Sequence, residues 1–245
     1  MLGMRWWWLL IWVGCSSPPA PRVIAAHPAT VPARALAPTR EAPPPPEKRL
    51  PRTFAPTSHD VSLSVTETFV DGVIRITGTI TERTSVVYLH AIDLAIYRVT
   101  ASHAGASTEL GVAMQPASET IALVPDTAFE PGEWTFTIEY RAPILQHGEV
   151  ELGAYGTSKN PSRGVFAQLV AGKRFTFTQF EPMEARRVFP CIDEPDRKVP
   201  WKLSVETSRG ELAVSNTVVE QTVERGQRTR YEFGRTRPLP SYLIA

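Results

Sequence analysis

Apolar and polar residues alternate with a period of two in several short segments between residues 61 and 233. This alternation is typical of strands with one buried and one exposed face. No segment of ten or more residues shows the 3.6-residue apolar period of an amphipathic helix. The pattern predicts strands at 61–65, 73–80, 86–89, 94–99, 121–124, 134–140, 174–180, 201–206, 212–215 and 230–233, and a strand-like segment at 239–245.

Turn signals separate these segments. Asp71-Gly72 precedes the strand at 73–80, and Glu130-Pro131-Gly132-Glu133 precedes the strand at 134–140. Many short strands joined by turns predict an all-β fold, a β-sandwich or a related layered sheet. We expect this domain to occupy residues 50–245.

The first fifteen residues have the pattern of a secretion signal. Arg5 is their only charge, and an apolar run at 6–13 is too short to span a bilayer. Gly14 and Cys15 follow it directly and resemble a bacterial lipoprotein lipobox. We therefore predict a signal peptide at 1–15 with lipidation at Cys15; the alternatives are an ordinary signal peptide with an incidental cysteine, or a short tail anchor.

Residues 16–49 differ in composition from the rest. Residues 16–56 hold 12 of the 23 prolines, including the run at 43–46. A Pro- and Ala-rich segment buries little apolar surface, so we predict a disordered tether at 16–49.

Composition limits the function classes. The chain has 245 residues, 42% hydrophobic, and a formal net charge of +1. No basic patch stands out, which argues against a nucleic-acid partner. Cys15 and Cys191 are the only cysteines, so no disulfide framework is expected, and Cys191 is interpreted as a small buried residue.

The stretch 178–195, Thr-Gln-Phe-Glu-Pro-Met-Glu-Ala-Arg-Arg-Val-Phe-Pro-Cys-Ile-Asp-Glu-Pro, is dense in charge, proline and aromatic residues. In an extended chain Phe175, Phe177, Gln179 and Glu181 lie on one side, so that face ends in an amide and a carboxylate. A short helical turn is expected after Pro182. The stretch is either a salt-bridged corner of a β domain or a strand end that presents a binding site.

This stretch closely resembles T-Q-F-E-P-x-x-A-R-R-x-F-P-C-x-D-E-P, found in the N-terminal domain of the aminopeptidase N-type zinc metallopeptidases, the gluzincin aminopeptidases. Residues 50–51 and 59–63 resemble the opening L-P and Y-D-L-x-L of that domain, and 89–94 its L-H-A-x-x-L strand. Residues 238–245 resemble its closing P-M-x-S-Y-L-x-A segment. The resemblance covers roughly 50–245 and implies a saddle-like layered-sheet domain.

The resemblance also implies residue roles. Gln179 and Glu181 match positions that line the first subsite and hold the free α-amino group of the substrate. Arg186, Arg187, Asp193 and Glu194 match positions read as structural. The H-E-x-x-H zinc helix of the family and its later Glu ligand are absent from this sequence, so no catalytic or metal-binding residue is predicted.

We therefore expect the N-terminal β domain of such a peptidase, inactive by itself, with zinc only in a catalytic domain that this chain lacks. The expected partners are peptide N-termini, a separate catalytic chain and, through a lipid anchor, a bacterial membrane, with the outer membrane favoured. The alternatives are a non-catalytic, surface-anchored binding or scaffold lipoprotein, and a nonfunctional fragment of a truncated gene.

Overall fold

Strands make up most of the folded chain, as the alternating pattern predicts. The computed structural model describes residues 34–45, 49–149 and 163–245, so Cys15, the signal peptide and residues 16–33 of the predicted tether lie outside the described part. The strands are β1 (Phe54–Val65), β2 (Phe69–Ile80), β3 (Val87–His90), β4 (Ala95–His103), β5 (Ala106–Glu109), β6 (Gly111–Gln115), β7 (Thr120–Val124), β8 (Gly132–Pro143), β9 (Leu145–Glu149), β10 (Gly164–Val170), β11 (Lys173–Gln179), β12 (Trp201–Ser208), β13 (Val219–Arg225) and β14 (Arg228–Phe233). Three single 3-10 turns occur in the same residues, at Pro116–Ser118, Ala185–Arg187 and Ser241–Leu243.

The largest sheet has eight strands in the order β13-β14-β12-β1-β2-β8-β4-β5. Its strands are antiparallel except for the parallel pair β1 and β12. In β2 the residues Val70, Ile74, Ile76 and Ile80 are buried, while Val73 between them is exposed. The alternation therefore gives this sheet one apolar inner face and one polar outer face.

Two three-stranded sheets cover the inner face, with the orders β11-β10-β9 and β3-β7-β6. One continuous core joins all three, because Ile74 and Ile138 of the large sheet cluster with Leu89, Ile121 and Val165 of the small sheets. The predicted all-β, layered-sheet fold is confirmed. A corner formed by residues 180–200 connects β11 to β12 and so joins a small sheet to the large one.

Three local predictions were wrong. Asp71 and Gly72 lie inside β2 rather than in a turn, since Gly72 pairs with Tyr140 of β8 and leaves room for its ring. Residues 212–215 form no strand, and 239–245 contain the 3-10 turn Ser241–Leu243. Apolar composition alone suggested strands in both segments, but neither belongs to a ladder of the described sheets.

Residues 34–45, which the sequence assigned to the tether, lie along the edge strand β6. Thr39 forms a parallel bridge with Val112, and the Val112 amide donates to the Pro38 carbonyl at 2.8 Å. The Tyr88 hydroxyl donates to the Pro43 carbonyl at 2.9 Å. This strap satisfies backbone groups that an uncovered edge strand would leave unpaired.

Candidate functional site

The end of β11 presents the two residues expected to bind substrate. Gln179 is its last residue, paired with Gly164 of β10, and Glu181 follows two positions later. Between them Phe180 is 3% exposed and packs edge-on against Phe189, with ring centroids 5.4 Å apart. Phe180 packs into the core, whereas Gln179 and Glu181 on either side of it in sequence are exposed.

Neither of these exposed side chains has a partner in the described part of the protein. Within the described residues, the Gln179 amide and the Glu181 carboxylate make no hydrogen bond or ion pair. An amide and a carboxylate without partners among the described residues are therefore available at this strand end for hydrogen bonding.

Aromatic side chains continue the same face along the small sheet. Phe175 is 43% exposed and stacks on Phe177 at 6.0 Å, Phe177 contacts Phe166 at 5.7 Å, and Phe166 stacks on His147 at 5.1 Å. Phe166 is buried but does not belong to the main core cluster. We call these four residues the aromatic strip; the sequence placed Phe175 and Phe177 beside Gln179 but did not predict their exposure.

Beyond Glu181 the corner is held by a buried ion-pair network centred on Arg186. Its guanidinium Nε donates to Asp193 Oδ2 at 3.0 Å, and its Nη1 donates to Glu119 Oε2 at 2.9 Å. The Arg186 side chain is 8% exposed and that of Asp193 is 1% exposed. Such a buried pair fixes geometry, since either charge alone would be costly in this environment.

Residues distant in sequence complete the network. Asp193 Oδ1 accepts from the Ser241 hydroxyl at 2.5 Å, and the Asp193 amide donates to His90 Nδ1 at 3.1 Å. Glu194 Oε1 accepts from the Leu50 amide at 2.7 Å. Sequence reasoning identified Asp193 and Glu194 but missed Ser241 and His90, which no local pattern connects to the corner.

Arg187 turns to the other side of the 3-10 turn. Its guanidinium Nε pairs with Glu184, and its Nη1 pairs with Asp93 at 2.5 Å. Glu184 is therefore paired with a cation of the chain itself, as Asp193 is with Arg186 and Glu194 is with Arg197 at 3.7 Å.

Cys191 is fully buried beside His90, with which it forms an antiparallel bridge. Burial raises the pKa of its thiol well above the usual value, and the nearby Asp193 carboxylate adds to that rise. A neutral, enclosed thiol is a packing residue rather than a nucleophile.

The histidines of the described part do not assemble a zinc site. His59 stacks on Trp201 and His103 on Trp134, His90 accepts the Asp193 amide, and His147 stacks on Phe166. In these residues no group of three or more His, Cys, Asp or Glu side chains is arranged to hold a metal ion. No helix in the described ranges is long and apolar enough to cross a membrane.

Comparison with known proteins agrees with this geometry. A family model described as the peptidase M1 N-terminal domain matches residues 55–243. Aminopeptidase N of Acetobacter pasteurianus is 31% identical over 202 residues, which cover 80% of this chain and 53% of that protein. Aminopeptidase M1 of Arabidopsis thaliana is 28% identical over 209 residues, which cover 81% of this chain and 22% of that protein.

A shorter match links the chain to an archaeal relative. The probable aminopeptidase 1 of Sulfurisphaera tokodaii is 36% identical over 97 residues, 12% of its own length. The chain thus spans about half the length of its bacterial relative and a smaller share of the plant and archaeal ones. Residues 55–243, with the Gln179–Glu181 strand end that they contain, belong to the N-terminal domain of the M1 aminopeptidase family.

Proposed function

We propose that this chain supplies the amino-terminus recognition part of an M1-type aminopeptidase, in which Glu181 binds the free α-amino group of a peptide and Gln179 orients it. One observation carries the proposal. Of the carboxylates between residues 181 and 194, Glu184, Asp193 and Glu194 each contact partners within the chain, whereas Glu181 has no partner among the described residues.

The chemistry of the pair suits an ammonium group. A carboxylate next to –NH3⁺ forms a charge-assisted hydrogen bond, which is stronger and shorter than a neutral one. The Gln179 amide oxygen accepts a second N–H, so two acceptors from one strand end fix the direction of the peptide N-terminus. Phe180 anchors this strand end in the core and limits its motion.

Peptide hydrolysis would need a zinc-bearing catalytic domain in addition to residues 55–243. No group of three or more candidate metal ligands is assembled among the described residues, so this domain alone is proposed to be inactive. The aromatic strip supports a protein partner at this face, since exposed apolar surface beside polar groups is typical of interaction sites.

Binding of matched peptides tests the recognition role. Calorimetry should show that a free peptide binds the full chain more tightly than its N-acetylated form. Glu181→Gln should weaken binding of the free peptide about tenfold or more, in line with the loss of a charged hydrogen bond. It should leave the affinity for the acetylated peptide unchanged. Glu184→Gln is the matched control, because it removes a carboxylate that is engaged by Arg187. Equal affinity for both peptides would refute α-amino recognition.

Reconstitution tests the assembled activity. The full chain would be mixed with a separately expressed H-E-x-x-H catalytic domain of the same family, and release of N-terminal residues would be followed with and without zinc. We expect activity only in the zinc-loaded mixture, reduced by Glu181→Gln. No activity from folded, zinc-loaded components would eliminate complementation.

The alternative is a non-catalytic scaffold lipoprotein at the bacterial surface. The lipobox-like Gly14-Cys15 sequence favours it, and in this account Cys15 carries the acyl chains at the outer membrane. Incorporation of radiolabelled palmitate, abolished by Cys15→Ser, would support the anchor. Anchoring together with peptide binding that ignores the amino terminus would favour the scaffold over the peptidase component.

A further inference from the structure

The outer face of the large sheet carries a charged trough that the aminopeptidase role does not use. The trough has a volume of about 660 Å³ and crosses β2, β1, β12 and β14. Its charged lining residues, which define the basic trough, are Asp60, Arg75, Lys202, Arg230, Glu232 and Arg235. The volume lies within the range of small-molecule sites in proteins.

Strand register places three charges side by side across the trough. Asp60 of β1 is the direct neighbour of Arg75 of β2 and of Lys202 of β12. Arg235, which follows β14, also reaches Asp60, with its Nη2 at 2.8 Å from Oδ1. A single carboxylate therefore faces three cations.

The neighbouring row of cross-strand residues, Val73, Ser62 and Ser204, forms the floor of the trough. Arg230 extends over it, donating from Nη1 to the Ser62 hydroxyl at 3.0 Å and from Nη2 to the Ser204 hydroxyl at 2.7 Å. Its Nε lies 3.2 Å from Glu232. Val73 beside Ser62 adds an exposed apolar surface, so the floor combines hydroxyl groups with methyl groups.

The charges of the trough are unbalanced, in contrast to those elsewhere on the same face. Outside it, Arg141 forms two hydrogen bonds of 2.8 Å with Asp71, and Arg228 pairs with Glu206 at 3.2 Å. The trough itself has four cations for two carboxylates. Glu220, outside the lining and half-exposed, pairs with Lys202 at 2.8 Å, which leaves a surplus of between one and two positive charges.

Arg75 accounts for this surplus. It is exposed, and within the described residues its guanidinium makes no ion pair or hydrogen bond, even though Asp60 is its cross-strand neighbour. A free guanidinium presents a planar fork of donors that matches the oxygens of a phosphate group.

We propose that the basic trough binds a phosphate-bearing ligand, with the phosphate oxygens held by Arg75 and the neighbouring Lys202 and Arg235. A phosphate monoester carries a charge of about −1.5 to −2 at pH 7, which offsets the surplus of the trough. The Ser62 and Ser204 hydroxyls and Val73 contact the remainder of the ligand. The phosphate belongs either to a soluble compound or to a lipid head group.

The test uses the full chain at low salt and has two arms. Pyrophosphate binding, measured by calorimetry, represents soluble phosphates. Vesicles of phosphatidylcholine with and without phosphatidylglycerol represent head groups, and the difference between the two vesicles is the readout, since it cancels any insertion by the apolar N-terminus. Arg75→Gln should weaken binding about tenfold in the arm that represents the true source.

Two further variants make the test selective. Arg98→Gln removes an exposed arginine of the same outer face that contacts Glu109 and Glu139 outside the trough, and it should leave binding unchanged. Asp60→Asn removes the carboxylate that competes with phosphate, and it should tighten binding severalfold, a gain that a merely damaged fold would not give. Thermal unfolding confirms that each variant is folded. Equal effects of Arg75→Gln and Arg98→Gln, or no binding in either arm, would overturn the proposal.

Discussion

His59 ties the stability of the domain to pH. The side chain is 1% exposed and stacks on Trp201 with ring centroids 4.2 Å apart, and within the described residues neither ring nitrogen has a hydrogen-bond partner. Burial lowers the pKa of His59 from 6.5 to about 3. Below pH 6.5 the unfolded chain binds a proton at His59 that the folded chain does not. The free energy of unfolding therefore decreases as the pH is lowered, until the folded histidine is protonated near pH 3.

The size of the effect follows from this pKa difference. One pKa unit corresponds to about 1.4 kcal/mol, so lowering the pH from 7 to 5 should cost about 2 kcal/mol through His59 alone. His59→Phe keeps the stacked ring but cannot titrate. The difference in free energy of unfolding between the variant and the wild type should therefore grow by about 2 kcal/mol in favour of the variant as the pH is lowered from 7 to 5. At pH 7 the variant should be at least as stable, because two unpaired nitrogens are removed.

Urea unfolding at pH 7, 6 and 5, followed by tryptophan fluorescence and circular dichroism, measures the difference. Phe129→Leu is the control, because Phe129 packs on Trp134 and Phe136 rather than on His59: it removes buried apolar contacts and should lower stability at every pH without changing the pH slope through His59. Parallel stability curves for wild type and His59→Phe between pH 7 and 5 would refute the assignment of a buried, neutral His59.

Three other substitutions probe the corner and the sheet, each measured by the shift in urea midpoint. Asp193→Ala removes the buried partner of Arg186, whose guanidinium then keeps only the half-exposed Glu119 as a charged partner, and it should cost about 3–5 kcal/mol; a cost below 1 kcal/mol would contradict a structural role for this pair. Glu184→Ala should cost at most about 1 kcal/mol, because this pair is partly exposed to solvent. Gly72→Ala should cost about 1–3 kcal/mol, since a Cβ there would lie 2.2 Å from Cζ of the Tyr140 ring, and an unchanged midpoint would show that the ring moves freely.

The sequence predicted best those strands whose two faces meet different surroundings. β8 alternates between buried Phe136, Ile138 and Tyr140 and solvent-facing neighbours, and that contrast is what periodicity detects. By comparison, β13 at the edge of the large sheet is exposed on both faces, so its residues carry no apolar signal. β10 was missed for the opposite reason, since Val165, Phe166 and Ala167 are buried in succession.

Glycine and apolar runs misled the interpretation where tertiary contacts determine conformation. Asp71-Gly72 has the composition of a turn, yet Gly72 is needed inside β2 for the close approach of Tyr140. Residues 239–245 are apolar because Ile244 enters the core and Ser241 reaches Asp193, not because they pair in a sheet. Both outcomes depend on residues at least 48 positions away, which no local window contains.

Contacts between residues distant in sequence also determine which carboxylates of the corner at residues 180–200 are paired. Residue type and spacing alone do not separate its carboxylates; only the family resemblance assigned Glu181 to ligand binding and Asp193 and Glu194 to structure. The hydrogen-bond donors to Asp193 and Glu194 include Ser241 and Leu50, at sequence separations of 48 and 144 residues. Long-range contacts therefore distinguish these carboxylates, and Glu181, which has no partner among the described residues, lies at an exposed strand end beside Gln179. Since Glu181 makes no contact with the described residues that a substitution would remove, Glu181→Gln should leave the fold unchanged and so tests the proposed recognition role directly.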